Sequence, residues 1–188
     1  MPTTTLRPTL WRTCRVLAND KRLHLLAQLV RRQPQSVSQL AARCSLTLPV
    51  TSQSLRALEA RGLLRVKRVG RRVEYRLPTR SEAGLLGDLI AALCAAVRRE
   101  SLPTKAIMKL ATAFTHPARI QIHRLLLANP QTLRQLQAAV RLSAVALWRH
   151  LLKLQTRGFV RYDDTQRRYR GCRHPDRIGR ALSRLAAM

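Results

Sequence analysis

The sequence predicts a mainly α-helical chain of two repeated units, each ending in a small β-hairpin. The first observation is an internal repeat, in which residues 35–76 align with residues 131–172 at a spacing of 96 residues. The second is that apolar residues recur at helical spacing and then alternate around a turn in both copies. The third is that basic residues lie on the two copies and avoid the segment between them. The predicted division is a disordered N-terminus over 1–8, a first domain over 9–80, a connector helix over 81–102 and a second domain over 103–188.

Charge is the feature that points most directly to a partner. The 188 residues include 36 basic and 9 acidic side chains, a net charge of +27. Residues 1–80 and 103–188 each hold 17 basic and 3 acidic side chains, whereas 81–102 hold 2 and 3. Such self-repulsion is typical of domains that a polyanion neutralises, which favours nucleic acid. Aromatic residues make up only 4%, which argues against an RNA-binding sheet with stacking rings.

Several other classes of protein are disfavoured. No stretch approaches the ~20 apolar residues of a spanning helix, and the first residues lack the apolar core of a signal peptide. We therefore expect a cytoplasmic, nucleoid-associated protein without a membrane partner. The cysteines (Cys14, Cys44, Cys94 and Cys172) stand apart, which favours reduced thiols over a zinc site or a disulfide framework. No catalytic constellation is present, so we expect no enzymatic activity, cofactor or metal.

Periodicity and turn signals predict the same order of elements in each unit. In the first unit we expect a helix over 10–17 and a second over 21–32 that is capped by Asp20. A short helix capped by Ser36 follows, and then a helix over 49–61 that ends at Gly62. Two strands around Val69 and Gly70 complete the unit. The second unit repeats this order, with its hairpin turning at about 163–166. The order is that of a winged helix-turn-helix domain. The fold class is thus two tandem winged helix-turn-helix domains joined by an apolar helix.

The same segments resemble a known family. LANDKRLHLLAQL and FTHPARIQIHRLLL resemble the opening helix of ArsR-type bacterial repressors. SVSQLAARCSLTLPVTSQSLRALEARGLLRVKRVGRRVEYRL resembles the rest of that domain, through its recognition helix and wing. The resemblance covers nearly all of residues 9–100 and, more loosely, 103–188. It implies a transcriptional regulator that binds double-stranded DNA.

The resemblance also bears on assembly and on metal binding. In ArsR-like proteins the first and last helices form a dimer interface, and the analogous segments here are 9–18, 82–100, 104–114 and about 175–187. The chain could therefore fold as an intramolecular pseudo-dimer or pair with a second chain as a homodimer. Metal-binding relatives often carry a cysteine pair on the short helix, where this chain has only Cys44. A metal sensor is accordingly not expected.

Candidate DNA contacts in the first unit follow from helix and hairpin geometry. With Thr51, Leu55 and Leu58 turned inward, the helix over 49–61 presents the outward residues Pro49, Ser52, Gln53 and Arg56. The Ser, Gln and Arg side chains can donate to base edges or phosphates in a major groove. Arg68, Arg71 and Arg72 flank Gly70 at the tip of the wing and suit phosphate or a narrow minor groove. The helix start at Ser36 could offer backbone N–H groups to a phosphate.

The second unit departs from this pattern. Its helix over 143–157 turns Leu147, Leu151 and Leu154 inward and presents Ala144, Val145, Trp148, Arg149 and Leu152. Trp148, Arg149 and Lys153 are its candidate DNA contacts, with Arg167 and Arg168 on a wing whose turn also carries Asp163 and Asp164. Trp148 could meet a thymine methyl group, meet a protein partner or be buried beneath a neighbouring segment.

Two functions remain open. One is a sequence-specific transcriptional regulator, which is favoured by the polar face of the helix over 49–61, the first reader helix. The other is an architectural, nucleoid-type protein of low specificity, which the charge and the apolar second reader helix favour. An adaptor whose second unit binds protein is a weaker third possibility.

Overall fold

In the computed structural model, which describes residues 9–70, 72–99 and 103–188, helices lead into two short antiparallel sheets. The elements of the first half are α1 (Leu10–Leu17), α2 (Asp20–Arg31), β1 (Gln35–Ser36), α3 (Val37–Cys44), α4 (Leu48–Glu59), β2 (Arg65–Val69), β3 (Arg72–Arg76), α5 (Arg80–Ala83) and α6 (Gly87–Arg98). Those of the second half are α7 (Thr104–Ala111), α8 (Pro117–Ala128), α9 (Leu133–Val140), α10 (Ala144–Gln155), β4 (Val160–Asp163), β5 (Arg168–Gly171) and α11 (Arg177–Ala187). The mainly helical content with small antiparallel sheets agrees with a winged helix-turn-helix fold, while the tandem duplication stays a prediction. The N-terminus over 1–8 and Arg71 lie outside the described residues.

The start of α2 corrects one expectation. Asn19, not Asp20, is the N-cap, because its Oδ1 accepts the backbone N–H of Arg22 at 3.1 Å. Asp20 is the first helical residue, where a carboxylate interacts favourably with the positive end of the helix dipole.

The first sheet has a strand that the sequence did not predict. β1 pairs antiparallel with β3, with Gln35 opposite Tyr75 and Ser36 opposite Glu74, so that the strand order is β1-β3-β2. A strand of two residues is too short for an alternating pattern to appear in the sequence. Its effect is to tie the wing to the start of α3.

The connector was predicted as one helix, and the structure divides it. The short helix α5 ends at Ala83 because the next residue, Gly84, has a φ of +50°, and a single 3-10 turn over Gly84–Leu86 leads into α6. The predicted apolar face is confirmed, since Leu86, Leu89, Ile90, Leu93 and Val97 are all buried.

The two halves share their turn geometry at spacings of 96 or 97 residues. Ser36 with Gln39 and Thr132 with Gln135 form matching capping boxes. Ser45 and Arg141 are matching left-handed residues, and Gly62 and Gly158 are matching positive-φ glycines. Arg22 donates to the Val16 carbonyl as Arg119 donates to the Ala113 carbonyl. Matching local signals therefore produce matching backbone geometry in both halves.

The halves pack on each other through their flanking helices. Their buried apolar residues form one continuous cluster, in which Leu17 and Leu26 belong to the first half and Phe114 and Leu182 to the second. α6 packs against α2 and α11, and α7 packs against α1 and α2. An exposed ion pair between Asp88 and Arg184, at 2.8 Å, joins α6 to α11. One chain thus brings together the four segments predicted to associate, while pairing of two chains stays a prediction.

No helix within the described residues is both long and apolar enough to cross a membrane.

Candidate nucleic-acid interface

Helix α4 is held in place by its inner face. Thr51, Leu55 and Leu58 are fully buried, as predicted from their spacing, and α4 packs against α2 and α3. The Thr51 hydroxyl donates to the Thr47 carbonyl at 2.9 Å, which satisfies a polar group that burial would otherwise leave unpaired. Gly62, at φ +71°, then turns the chain into the hairpin. The outer face of α4 is therefore presented on a rigid support.

The outer face of α4 carries the predicted polar residues. Pro49, Gln53 and Arg56 are exposed, and Ser52 is half-buried. Leu48, the first residue of α4, was not predicted as a site residue, yet 55% of its surface is exposed. An apolar side chain beside amide and guanidinium groups suits a thymine methyl group next to hydrogen-bonding base edges. Helical spacing alone does not predict that the apolar first residue of a helix will be exposed.

The N-terminus of α3, the start of α4 and the wing meet in one cleft of about 620 Å³. Ser36, Leu48 and Arg72 line it, and the carboxylate-bearing Glu74 lines it too. The Ser36 hydroxyl accepts the backbone N–H of Gln39 at 3.3 Å, and the Gln39 side chain accepts the N–H of Ser36 at 2.9 Å. Ser36 thus acts first as a helix cap, and the structure brings it together with one of the predicted wing arginines.

The first wing projects away from the body. Gly70, at φ +59°, forms its turn, and a Cβ placed there would meet no atom within 4 Å. Arg68 stands opposite Val73, and Arg72 stands opposite Val69. Because side chains alternate along a strand, the exposed Arg68 and Arg72 lie on opposite faces, and only Arg72 lines the cleft. Arg71, the third predicted arginine, lies outside the described residues.

An ion pair fixes the base of this wing. The Arg76 guanidinium donates to both carboxylate oxygens of Glu82 at 2.7 Å, which joins β3 to α5. This bidentate contact, with further hydrogen bonds from Thr79, holds the pKa of Glu82 well below its usual range. Glu82 is therefore committed to structure and stays charged at neutral pH.

The outer face of α10 differs from that of α4. Val145, Trp148 and Leu152 are 60%, 54% and 43% exposed, and Arg149 is exposed beside them. Of the three fates considered for Trp148, burial beneath a neighbouring segment is wrong for the described chain. The apolar stripe predicted for the helix over 143–157, which is α10 in the structure and the second reader helix, thus faces solvent.

Lys153 lies at the margin of this face. It is half-buried, and burial lowers its pKa, with smaller effects of the positive charges of Arg157 and Arg119. Arg119 is buried and bound to the protein itself, because its Nε donates to the Ala113 carbonyl at 2.6 Å and another nitrogen donates to the Thr115 hydroxyl at 2.6 Å. Arg119 therefore supports the fold from inside, and Lys153 is less accessible than the exposed Trp148 and Arg149.

In the second wing, one of the two acidic residues, Asp163, is bound within the protein. Asp163 accepts a hydrogen bond from Arg170 at 2.8 Å and another from the backbone N–H of Gln166 at 3.1 Å. Arg167, at φ +50°, and Arg168 are both exposed. The hairpin turns one residue later than predicted, at 164–167. Asp163 thus shapes the turn, and the predicted arginines remain accessible to a phosphate.

Thiols and possible metal ligands are scattered. Cys14 is buried, whereas Cys44, Cys94 and Cys172 are half-buried, and all four are free. Within residues 9–70, 72–99 and 103–188, no three His, Cys, Asp or Glu side chains are grouped so that they could hold a metal ion.

Comparison with known proteins bears on the first half. Residues 17–67 match a family described as a helix-turn-helix domain. This family is related to the ArsR-type helix-turn-helix proteins. The match runs from the end of α1 into β2 and includes α3 and α4, and a helix-turn-helix domain implies DNA binding. A search of curated proteins finds no match to the chain.

Proposed function

We propose that the protein is a sequence-specific transcriptional regulator, which binds duplex DNA through two winged helices held in one chain as an intramolecular pseudo-dimer. The observation that carries the proposal is the outer face of α4, where Gln53 and Arg56 stand exposed above a fully buried inner face. Amide and guanidinium groups are the side-chain groups that most often read adenine and guanine in the major groove. The helix-turn-helix match covers this helix.

The elements around α4 supply the phosphate contacts that such a reader needs. The N-terminus of α3 at Ser36 and the wing residue Arg72 line one cleft beside the start of α4. Phosphate contacts position a protein on the duplex, whereas base contacts specify the sequence. The exposed Arg68 adds positive charge to the wing, Arg71 follows Gly70 in the sequence as a further candidate contact, and the net charge of +27 attracts the polyanion from a distance.

A tandem duplication accounts for the second half. The repeated capping boxes, left-handed turns and arginine-to-carbonyl hydrogen bonds support a common origin of the two units, each with its own reader helix and wing. The readers have diverged, since α10 presents Val145, Trp148 and Leu152. Arg149, Lys153, Arg167 and Arg168 serve phosphates there, and Trp148 meets a thymine methyl group. The preferred DNA site is therefore asymmetric.

Competition binding tests the proposal against an architectural role. A labelled duplex taken from the protein's preferred site is displaced with unlabelled copies or with bulk genomic DNA at physiological salt. A regulator binds its site ~10³-fold or more tightly than bulk DNA. Equal competition by the two DNAs would favour the architectural role, which the charge and the apolar face of α10 support.

Light scattering tests the assembly. A species of 21.4 kDa at micromolar concentration is expected for a pseudo-dimer within one chain. A stable species of twice that mass would favour a homodimer.

A further inference from the structure

A groove of about 820 Å³ lies between the connector and the C-terminal helix. Its walls come from α5 and α6 on one side and from the end of α11 on the other, so that both halves of the chain line it. The volume falls within the range of about 300–1,000 Å³ that is usual for small-molecule sites. Of the candidate DNA contacts that the structure describes, none lines this groove.

The floor of the groove is apolar. Leu77 and Ile90 are buried at its base, and Leu85, Leu185 and Met188 extend the apolar surface outward. Leu85 is 71% exposed, although α5 and α6 on either side of it are anchored in the fold. Large apolar side chains gathered around a concave surface indicate a site for a partly apolar ligand.

The rim of the groove is positively charged. Arg80, Arg98 and Arg184 line it, and the one acidic side chain among its described lining residues, Asp88, is paired with Arg184 at 2.8 Å. No carboxylate in the part of the chain that the structure describes pairs with Arg80 or Arg98. Guanidinium groups without a carboxylate partner at the edge of an apolar pocket favour a ligand that carries an anionic group.

Cys94, which also lines the groove, does not oppose an anion. Burial raises the pKa of its thiol, with a smaller opposite effect of Arg98, so that the group is uncharged at neutral pH. The groove therefore combines an apolar floor with an unbalanced positive rim.

We propose that this groove binds a small amphipathic organic anion, of which a medium-chain carboxylate is the simplest example. Its hydrocarbon chain packs on Ile90, Leu185 and Met188, and its carboxylate is held at the rim by Arg80 and Arg98. A bound anion also competes with Asp88 for Arg184, and that ion pair joins α6 to α11. The ligand thus contacts both halves of the chain at once.

Isothermal titration of the full chain with octanoate tests the proposal without DNA. The wild-type protein is compared with a variant carrying Arg80→Gln and Arg98→Gln. The matched control carries Arg134→Gln and Arg161→Gln, which removes the same charge from exposed positions outside the groove. We expect one saturable site, with an affinity about tenfold lower in the groove variant and unchanged in the control.

Three outcomes would overturn the proposal. The first is no saturable binding of octanoate at millimolar concentration, and the second is an equal loss of affinity in the two double variants, which would indicate attraction by net charge alone. The third is equal binding of octan-1-ol, which lacks the anionic group. A rise in thermal stability on adding octanoate, seen in wild type and in the control but reduced in the groove variant, is the supporting second readout.

Discussion

Gln53 and Arg56 are the residues that we propose to read the DNA sequence. Both stand on the exposed face of α4, and neither supports the buried face formed by Thr51, Leu55 and Leu58. We expect Gln53→Ala or Arg56→Ala to weaken binding to the preferred site by ~1–3 kcal/mol, because each removes hydrogen bonds to a base edge. Binding to bulk DNA should change much less, so that the loss is mainly one of specificity.

Competition binding measures this difference. Arg99→Ala is the matched control, since it removes an exposed charge at the end of α6, away from the reader helix. An equal loss of affinity for preferred and random DNA in Arg56→Ala would show that α4 contacts phosphates without reading bases.

His123, buried in the second half, is expected to couple the stability of the fold to pH. Its Nε2 lies 2.7 Å from the Ser183 hydroxyl, and burial lowers its pKa to about 4. Since the unfolded residue has a pKa near ~6.5, the unfolded chain binds more protons between these values. The contribution of His123 is complete above that upper value and is lost as the pH falls towards 4. The full difference amounts to about 3 kcal/mol.

Urea denaturation at neutral pH and near pH ~5 tests this linkage. His123→Phe should lose less stability on acidification than wild type, because its side chain cannot take up a proton. The exposed His24 provides a control, His24→Phe, that should behave like wild type. His116 and His150, whose pKa values burial also lowers, contribute equally in all three proteins. The same acid sensitivity in His123→Phe and wild type would contradict the assignment.

Helix caps and stops could be predicted from the sequence where the residue type alone decides them. Ser36 as a cap and Gly62 as a stop depend on neighbouring backbone alone, and both are confirmed. Asn19 and Asp20 have similar capping preferences, so the sequence could not decide between them. The exposure of Leu48 depends on how the described elements pack around the start of α4, which is a property of the assembled fold.

At the scale of elements, the wing shows which properties require the fold. Alternation predicted both strands of the first hairpin, but which arginine faces the reader helix depends on how β3 pairs with β1. The pairing places Arg72 in the cleft with Ser36 and Arg68 on the other face. The buried face of the connector could likewise be predicted from the sequence. The groove beside it could not, because it forms only when α11 packs against α6.

Arg72 and Arg68 therefore form a matched pair for testing the wing. Arg72→Ala should weaken binding to all DNA sequences alike and reduce the slope of log affinity against log salt by up to ~1, because one phosphate contact is lost. Arg68→Ala removes the same charge from the opposite face and should change the slope less. Equal slopes in the two variants would place the phosphate contact outside the cleft.

At the scale of the whole molecule, the shared core predicts that the two halves unfold together. The two tryptophans report on separate halves, Trp11 from α1 and Trp148 from α10. In single-tryptophan variants, Trp11→Phe and Trp148→Phe, the fluorescence transitions should coincide in denaturant. Leu89→Asp places a carboxylate in the buried face of α6. It should lower the free energy of unfolding by several kcal/mol and shift both midpoints together to lower denaturant concentration.

Leu85→Asp serves as the control for that substitution, because Leu85 precedes α6 but is largely exposed. It should leave both transitions close to those of wild type. Separate midpoints for the two tryptophans, or a shift confined to the first half in Leu89→Asp, would indicate two independent domains.

Selection of bound sites from a random duplex pool, followed by footprinting, tests the central claim most directly. Two diverged readers in one chain predict a single enriched site whose halves differ in sequence. One chain should protect both halves, with centres about one helical turn, ~34 Å, apart. Recovery of no enriched sequence, or of a palindromic site occupied by two chains, would contradict the account.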